Sequence, residues 1–299
     1  MIPHFMAYIF LVFNMALWGG ALVVARGVHE IAPPMALTFW RWVVTALILF
    51  PFVVRDLSKE LPLKKEARYS VYWVCITMSI GTTLSLVSVN YTSAINAAVI
   101  NGTQPAVTAL AAFIVLRERL TKLQLIGIMS AFLGIVVIGF QANINRLLQM
   151  DANFGDFVML GAVACWSLYA VEVHRAKCLP SYGVLLFLTA CAGAIFGLPL
   201  YLIEETFSRS IQLNSTTVLS VLYLGLGSTV IAVSLWNISI RSVGVNRAAI
   251  FLNLIPVFGA CFAIVFLNEK MVFYHVIGSA MIILGILFAV KKVGEQSIS

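Results

Sequence analysis

Ten apolar segments of membrane-spanning length follow one another along this chain, and they constrain its fold more than any other feature. A hydrocarbon core about 30 Å thick is crossed by a helix of about 20 apolar residues. Because lipid offers the backbone no hydrogen-bond partner, each segment must satisfy its own N–H and C=O groups as an α-helix. We therefore predict an all-α integral membrane protein with ten transmembrane helices. The segments cover residues 5–25, 33–54, 69–90, 93–116, 123–141, 154–173, 181–203, 216–240, 244–267 and 272–290.

Composition excludes a water-soluble fold and gives no sign of a catalytic or metal centre. Hydrophobic residues make up 61% of the chain and charged residues 10%, whereas soluble domains carry about 25% charged residues. The five cysteines form no CxxC pair, so a zinc or redox site is not indicated. No HExxH, GxSxG or nucleotide-binding loop is present, and we expect neither an enzyme nor a bound cofactor or metal.

The nineteen Lys and Arg residues are distributed unevenly over the connections. With a cytoplasmic N-terminus, fourteen lie in cytoplasmic connections, four lie in outer connections, and Arg41 lies inside the second segment. Positive charge concentrates on the cytoplasmic side of membrane proteins, so we predict a multi-pass protein of the cell inner membrane with both termini in the cytoplasm. The formal net charge of +7 then follows from topology, and no nucleic-acid partner is expected.

An internal repeat relates the two halves of the chain. Residues 94–135 align without a gap to residues 245–286, and twelve of the forty-two positions are identical. The matches include Pro105/Pro256, Glu118/Glu269, Gly127/Gly278 and Gly134/Gly285, and Trp18 pairs with Trp166 in a second register. Five helices per half is an odd number, so the second half enters the membrane from the opposite face. We therefore predict two inverted five-helix repeats, residues 1–144 and 145–299, an architecture found in many secondary transporters.

Several stretches resemble a known family. They are ALWGG in the first segment, P-x-x-L-T-x-x-R in the second, NAAVINGTQPAVTALAAFIVLRERLT across the fourth, and YLGLGSTVIAVSLWNISIRSVGVNRAAIFLNLIPVFGACFAIVFLNEK in the second half. Over nearly its whole length the chain resembles EamA-type members of the drug/metabolite transporter superfamily, which mostly export metabolites. The resemblance implies a central cavity lined by the first four helices of each half, a monomeric transport unit and no prosthetic group.

Arg41 is the first candidate for binding a solute. A charge inside a membrane segment is expensive unless it is paired or serves a function, and a guanidinium suits the carboxylate or phosphate of an anionic or zwitterionic solute. The alternative is a structural Arg41 that is satisfied by helix carbonyls. In small-multidrug relatives the first helix carries a Glu for proton exchange, whereas this chain has Asn14 there. Carboxylate-based proton coupling is therefore not indicated.

Two polar positions before prolines form a second candidate region. Asn101 and Gln104 precede Pro105 in the fourth segment, and Asn253 precedes Pro256 in the ninth. A proline removes a backbone donor and loosens the helix, so we predict hinges at the two prolines and solute contacts at the three amides. The alternative is interhelical hydrogen bonding, which is common in membrane bundles.

Aromatic and small polar residues form a third candidate region. Asn14 lies one turn before Trp18 in the first segment, and Tyr169 lies close to Trp166 in the sixth. Together with Tyr223 and Ser228 in the eighth segment, they are interpreted as a wall of the solute site, with ordinary helix packing as the alternative. Glu118, at a helix end beside Arg119, is interpreted as a structural residue. His174 is interpreted as a residue at headgroup level, and the alternative is a histidine that titrates near neutral pH and couples transport to protons.

These observations favour a secondary transporter that exports small metabolites such as amino acids by alternating access. Its expected partners are the small-molecule solute and the lipid bilayer. A polytopic membrane enzyme and a carrier for drugs or toxic compounds are the alternatives, and a channel is disfavoured because a passive pore needs no repeated halves.

Topology mapping tests the predicted spans. Reporter fusions at the two chain ends should both report the cytoplasm, because an even number of spans returns the chain to its starting side. Control fusions after Arg117 and after Arg209 should report the cytoplasm and the exterior, respectively. Chain ends on different sides would contradict both the ten spans and the inverted repeat.

Overall fold

Backbone hydrogen bonding within the apolar segments produces a bundle of helices. The structure, a computed structural model, describes residues 3–28, 30–91, 100–140, 153–267 and 273–290. Within those ranges it is all-α and contains no strand. Ten helices occur there, and they coincide in order with the ten predicted segments. They are α1 (His4–Gly27), α2 (Pro34–Glu60), α3 (Lys65–Tyr91), α4 (Gln104–Leu116), α5 (Lys122–Gly139), α6 (Phe154–Arg175), α7 (Tyr182–Phe207), α8 (Ser215–Val243), α9 (Val245–Leu267) and α10 (Phe273–Val290).

Two of these helices are irregular. The middle of α8, Tyr223–Ile231, is π-helical. Helix α9 consists of a short α-helix, Val245–Ile250, a 3₁₀ turn, Phe251–Asn253, and a longer α-helix, Leu254–Leu267. Both irregularities lie well inside the membrane segments that the sequence predicts.

Length and hydropathy agree with a membrane location. Among the described residues, five helices are long and apolar enough to cross a bilayer, and α4, α5, α9 and α10 contain shorter apolar stretches. Large apolar side chains are exposed on the outside, such as Phe52 at 77% and Phe207 at 82%, whereas Asn14 and Ser167 are fully buried. A soluble protein has the opposite distribution of polar and apolar side chains. The predicted multi-pass membrane protein is therefore supported, while both chain ends, residues 1–2 and 291–299, lie outside the described residues.

Helix ends are fixed by local side-chain chemistry. Thr121 accepts a hydrogen bond from Gln124 N, and the Gln124 side chain accepts one from Thr121 N, which together form a capping box at the start of α5. Between α8 and α9 the chain turns at Gly244, whose φ of 87° lies in the region that favours glycine. This one-residue connection places the end of α8 next to the start of α9.

Four pairs of helices, each with one helix from either half of the chain, pack antiparallel. In the pair α1 and α8, the start of one helix contacts the end of the other, and the same is true of α3 and α6. The α1–α8 contacts join Ala7 to Ser239, Asn14 to Ala232 and Trp18 to Ser228. The α3–α6 contacts join Gly81 to Trp166 and Ser88 to Met159.

Two antiparallel pairs join helices that occupy the same position in the two halves. In α2 and α7, the ring of Trp42 packs on Gly193, and Phe39 and Val53 pack on Gly197 and Gly183. In α5 and α10, the backbones themselves meet. A Cβ placed on Gly134 would lie 2.5 Å from Gly278 O, and one on Gly285 would lie 2.5 Å from Gly127 O. The four glycines matched by the repeat therefore form one close helix contact, of the kind that small residues allow in membrane bundles.

Substitution within this glycine contact should destabilise the protein. Gly134→Ala places a methyl group against a backbone carbonyl that cannot move away, so we expect a loss of about 1–3 kcal/mol in the free energy of unfolding, typical of overpacking. Gly27→Ala is the matched control, because a Cβ there meets no atom within 4 Å. Thermal unfolding in detergent measures both variants, and equal midpoints for the two would contradict the close contact.

Candidate functional site

The π-helical segment of α8 is the centre of the polar contacts inside the bundle. Its carbonyls accept hydrogen bonds from side chains of two other helices. Trp18 Nε1 of α1 donates to Ser228 O at 3.0 Å, and Thr45 Oγ1 of α2 donates to Gly225 O at 3.2 Å. A π-helix inside an α-helix is rare and often marks a functional position.

Asn14 supplies a buried acceptor next to this segment. Its side chain is fully buried, and its Nδ2 donates to Ala232 O of α8. Because a carbonyl only accepts, this contact fixes the amide orientation and turns Oδ1 away. That oxygen is buried without a hydrogen-bond partner among the described residues. Leaving such an atom unpaired costs about 1–3 kcal/mol, so Asn14 Oδ1 is available as an acceptor for a polar group.

Three tryptophans and a tyrosine cluster beside Asn14. The ring centroids of Trp18 lie 6.4 Å from Trp166 and 5.6 Å from Trp236, and Trp166 lies 5.8 Å from Tyr169 in an edge-on arrangement. The repeat-matched pair Trp18 and Trp166 therefore meets in space. Tyr169 is buried, and its hydroxyl donates to Asn237 Oδ1 at 2.6 Å.

Arg41 borders the same segment from α2. Its carbonyl accepts from Thr45 Oγ1 at 2.8 Å, and this hydroxyl also contacts Gly225 O of the π-helical segment. The guanidinium carbon lies 4.8 Å from the ring centroid of Trp42, and Nε is buried without a partner among the described residues. The cation is thus placed against an aromatic face with a free donor.

Tyr223 joins α8 to α1. Its hydroxyl donates to Leu17 O of α1 at 3.0 Å, so that donor is already used within the protein. A Cβ on Gly20 would clash with this hydroxyl. Gly20 therefore leaves the room that lets Tyr223 join α8 to α1.

The helical structure is interrupted at matching positions of the repeat, just before α4 and inside α9. Residues 102–103 form a turn before α4, with Thr103 Oγ1 donating to Ile100 O at 2.6 Å, and Phe251–Asn253 form the 3₁₀ turn of α9. Pro105 and Pro256 lie in the first turn of the helical segments that follow, where proline is unstrained. The prolines therefore start new segments rather than bend continuous helices.

The amides near these breaks differ in their surroundings. Asn253 is buried, and its Nδ2 has no partner among the described residues. Its level relative to α1 follows from two contacts: Tyr8 stacks on Phe251, and Gly19 meets Gly259. Asn253 thus lies at about the depth of Asn14. Gln104 is buried and Asn101 is half-buried, with no contact from either to the α1–α8 group within the described ranges.

The structure therefore brings together most of the predicted residues. Asn14, Trp18, Trp166, Tyr169 and Ser228 are joined by direct contacts around α8, and Arg41 and Tyr223 adjoin them. Three participants were missing from the prediction: Thr45, Trp236 and Asn237. Trp236 lies eight residues after Ser228, about two helical turns. This spacing could have predicted that Trp236 lies near the helix face of Ser228. No group of three metal-ligating side chains occurs in the described part of the chain.

A separate groove of about 480 Å³ lies on the outside of the bundle. Its walls are aliphatic and aromatic side chains of α1 together with Phe258 of α9. Phe5 and Phe13 on this groove are exposed. It faces the surroundings of the bundle and includes none of the predicted site residues.

Comparisons with known proteins match the whole length of the chain. The sequence model of the EamA-like transporter family matches residues 5–140 and 153–291. The "Uncharacterized transporter YyaM" of Bacillus subtilis (strain 168) is 26% identical over 290 residues, 96% of this chain and 94% of its own. A "Probable amino-acid metabolite efflux pump" of Salmonella typhimurium is 28% identical over 280 residues, 90% of this chain and 89% of its own. A solved crystal structure of a protein with 17% identity gives a TM-score of 0.79, covering 95% of this chain and 96% of that one.

Removing the Tyr169 hydroxyl should destabilise the site. Tyr169→Phe leaves Asn237 Oδ1 without its donor in a buried position, so we expect a loss of about 1–3 kcal/mol in the free energy of unfolding. Tyr72→Phe is the matched control, because Tyr72 is exposed on α3. Thermal unfolding in detergent compares the two variants. A Tyr169→Phe protein as stable as the control would show that this hydrogen bond does not stabilise the fold.

Proposed function

Since the chain belongs to the EamA-like transporter family, we propose that it is a secondary transporter that exports small amino-acid-like metabolites by alternating access. The family consists of transporters, so the chain is a transporter and not an enzyme. The name of the Salmonella relative supports the cargo class and the direction. We further propose that the protein works as a monomer in the cell inner membrane, with both termini in the cytoplasm.

Alternating access is proposed to arise from two inverted repeats, residues 1–144 and 145–299. Antiparallel packing of the equivalent helices α2 with α7 and α5 with α10 supports this arrangement, because repeats of the same orientation would place them parallel. A second support is a matched contact. Thr108 donates to Ser167 at 2.9 Å, and the repeat counterparts of these two residues, Gly259 and Gly19, also meet.

The two halves then exchange conformations around a central cavity. Each half can adopt the conformation of the other, so that a site between them opens first to one side of the membrane and then to the other. The interruptions of α4 and α9 at matching positions support Pro105 and Pro256 as hinges. Discontinuous helices at such positions commonly carry the solute site of secondary transporters.

The buried unpaired polar atoms carry the cargo assignment. Arg41 Nε and Asn253 Nδ2 are free donors, and Asn14 Oδ1 is a free acceptor. An amino acid offers the complementary groups, a carboxylate that accepts and an ammonium that donates. We assign the carboxylate to Arg41 and the ammonium to Asn14. Trp18 and Trp166 form the wall for the side chain, with Tyr169, Tyr223, Ser228, Asn101 and Gln104 as further contacts.

A carrier for drugs or other toxic compounds is the second candidate. The cluster of Trp18, Trp166 and Trp236 favours it, because aromatic faces bind flat apolar molecules. A lipophilic cation is a poor fit, since the site residues include the positive Arg41 and no carboxylate. A neutral or anionic aromatic compound would be the expected cargo of this kind.

Counterflow in proteoliposomes tests the assignment of Arg41. Arg41→Ala should lower the transport of anionic and zwitterionic solutes about ten- to one-hundredfold, because a hydrogen bond to a charged group contributes about 1.5–3 kcal/mol. Arg41→Lys should retain part of the rate, since it keeps the charge but loses the planar fork. A panel of amino acids and neutral aromatic compounds measures the rates.

Arg209→Ala is the control for the loss of a positive charge, because Arg209 is exposed in the connection after α7. Its rates should equal those of the wild type. If Arg41→Ala transports amino acids at the wild-type rate, the anchor role is wrong. If only neutral aromatic compounds exchange, the second candidate function replaces the first.

A further inference from the structure

Glu118 is held between the two halves at one end of the bundle. It follows α4, where Arg117 ends the helix with a φ of 61° and turns the chain toward α9. Glu118 Oε2 accepts a hydrogen bond from Asn246 Nδ2, in the first turn of α9, at 3.1 Å. Its Oε1 lies 3.6 Å from His174 Nε2, at the end of α6. A single carboxylate of the first half thus contacts two helices of the second half.

Both ring nitrogens of His174 face oxygen acceptors. Nδ1 lies 3.0 Å from Ile240 O of α8, and a carbonyl can only accept, so Nδ1 carries a hydrogen. In the neutral ring, Nε2 would then present a lone pair to the Glu118 carboxylate. The protonated ring instead carries a hydrogen on each nitrogen and forms an ion pair with Glu118. The observed geometry therefore fits the imidazolium, which donates from both nitrogens.

The neighbouring charged groups have other partners or lie on the far side of Glu118. Glu172 pairs with Arg175 through two contacts of 2.9 and 3.0 Å. Arg241 of α8 donates to the carbonyls of Val173 and Ala176, so it secures α8 to the end of α6. Other ionisable side chains on the elements that meet near this end of α6 include Arg117 and Arg119 beside Glu118, Lys177 after α6, Arg247 on α9, Lys65, Glu66, Arg68 and Tyr69 on α3, and Tyr182 on α7.

We propose that Glu118, His174 and Asn246 form a proton-sensitive clasp that keeps the two halves closed at this end of the bundle. The proposal rests on the proposed function, in whose orientation this end faces the cytoplasm. Opening the site to the cytoplasm separates α4 from α6 and α9, and so it breaks both contacts of Glu118. Protonation of His174 holds the clasp closed, and its deprotonation removes the ion pair and favours the entry of cargo from the cytoplasm.

The clasp is built to open at a modest cost in free energy. His174 and Glu118 remain partly exposed, with 23% and 40% of their side chains accessible, and solvent weakens an ion pair of this kind. Asn246 Oδ1 is buried without a partner in the described part of the chain, so the closed state leaves one acceptor unsatisfied. Both features lower the free-energy cost of going from the closed to the open arrangement.

Spin-label distances across the clasp test this proposal without any solute. One label is placed on α4 at Val115→Cys and the other at Cys178 after α6, both exposed. The remaining four cysteines are replaced by Ala. In the wild-type background the fraction of long distances should rise roughly two- to fivefold from about pH 6 to about pH 8. A partly exposed ion pair is weak, and histidine side chains in general change charge between about pH 5 and 8.

Two variants and one control make the outcome specific. Glu118→Gln and His174→Gln should each abolish the pH response, because either change removes one partner of the ion pair. Glu172→Gln is the matched control: it neutralises a carboxylate on the same helix end that pairs with Arg175, so the wild-type pH response should remain. Size-exclusion profiles and helical circular dichroism establish that each variant is folded.

A pH response that persists in both Glu118→Gln and His174→Gln, or a wild-type protein without a response, would overturn the clasp. Transport is measured separately by counterflow. A protein that exchanges amino acids while its label distances ignore pH supports the proposed function and refutes the clasp. A protein that exchanges no solute but keeps the pH response supports the clasp and refutes the proposed function.

Discussion

Hydrogen bonding of the backbone inside an apolar environment is the constraint on which the rest of this structure depends. Most of the chain meets it with regular α-helices. Where α8 is π-helical, side chains of other helices bond to its carbonyls: Trp18 and Thr45 donate to carbonyls of the π-helical segment, and Asn14 donates just beyond it. Irregular backbone is tolerated in membranes only when it is enclosed by protein in this way. The polar centre of the bundle therefore follows from the same requirement that makes the bundle helical.

Close packing between helices is the second constraint on this structure. Lipid does not drive helices together by apolar burial, so their association depends on packing and on hydrogen bonds between them. Glycines let two helices come close enough for such packing and hydrogen bonds. Gly134 and Gly278 let the backbones of α5 and α10 meet, and Gly193 receives the ring of Trp42 between α2 and α7. These contacts leave α1, α6 and α8 to form the interior around Trp18 and Trp166.

The number and order of the helices could be predicted from the sequence, because segment length and apolar composition are local properties. The internal repeat pointed to two further features, because it matches the residues that form them: the contact between Trp18 and Trp166, and the glycine contact of α5 with α10. The π-helical segment was not, since the neighbouring donors that stabilise it come from α1 and α2. The position of Glu118 depended on tertiary structure as well: sequence placed it beside Arg119, while the fold places it against Asn246 and His174. The hinge role of Pro105 and Pro256 stays a prediction, whereas the position of each proline in the first turn of a helical segment became visible only in the fold.

The π-helical turn of α8 has no equivalent in α3, its counterpart in the first half, which runs as a continuous α-helix from Lys65 to Tyr91. The two halves therefore differ in the backbone of this helix. In the proposed alternating-access cycle, in which the halves exchange conformations, this difference would give the inward-facing and outward-facing forms different intrinsic energies, even when no gradient acts. The protein alone would then favour one form at rest, and a solute would shift the population only through different affinities for the two forms.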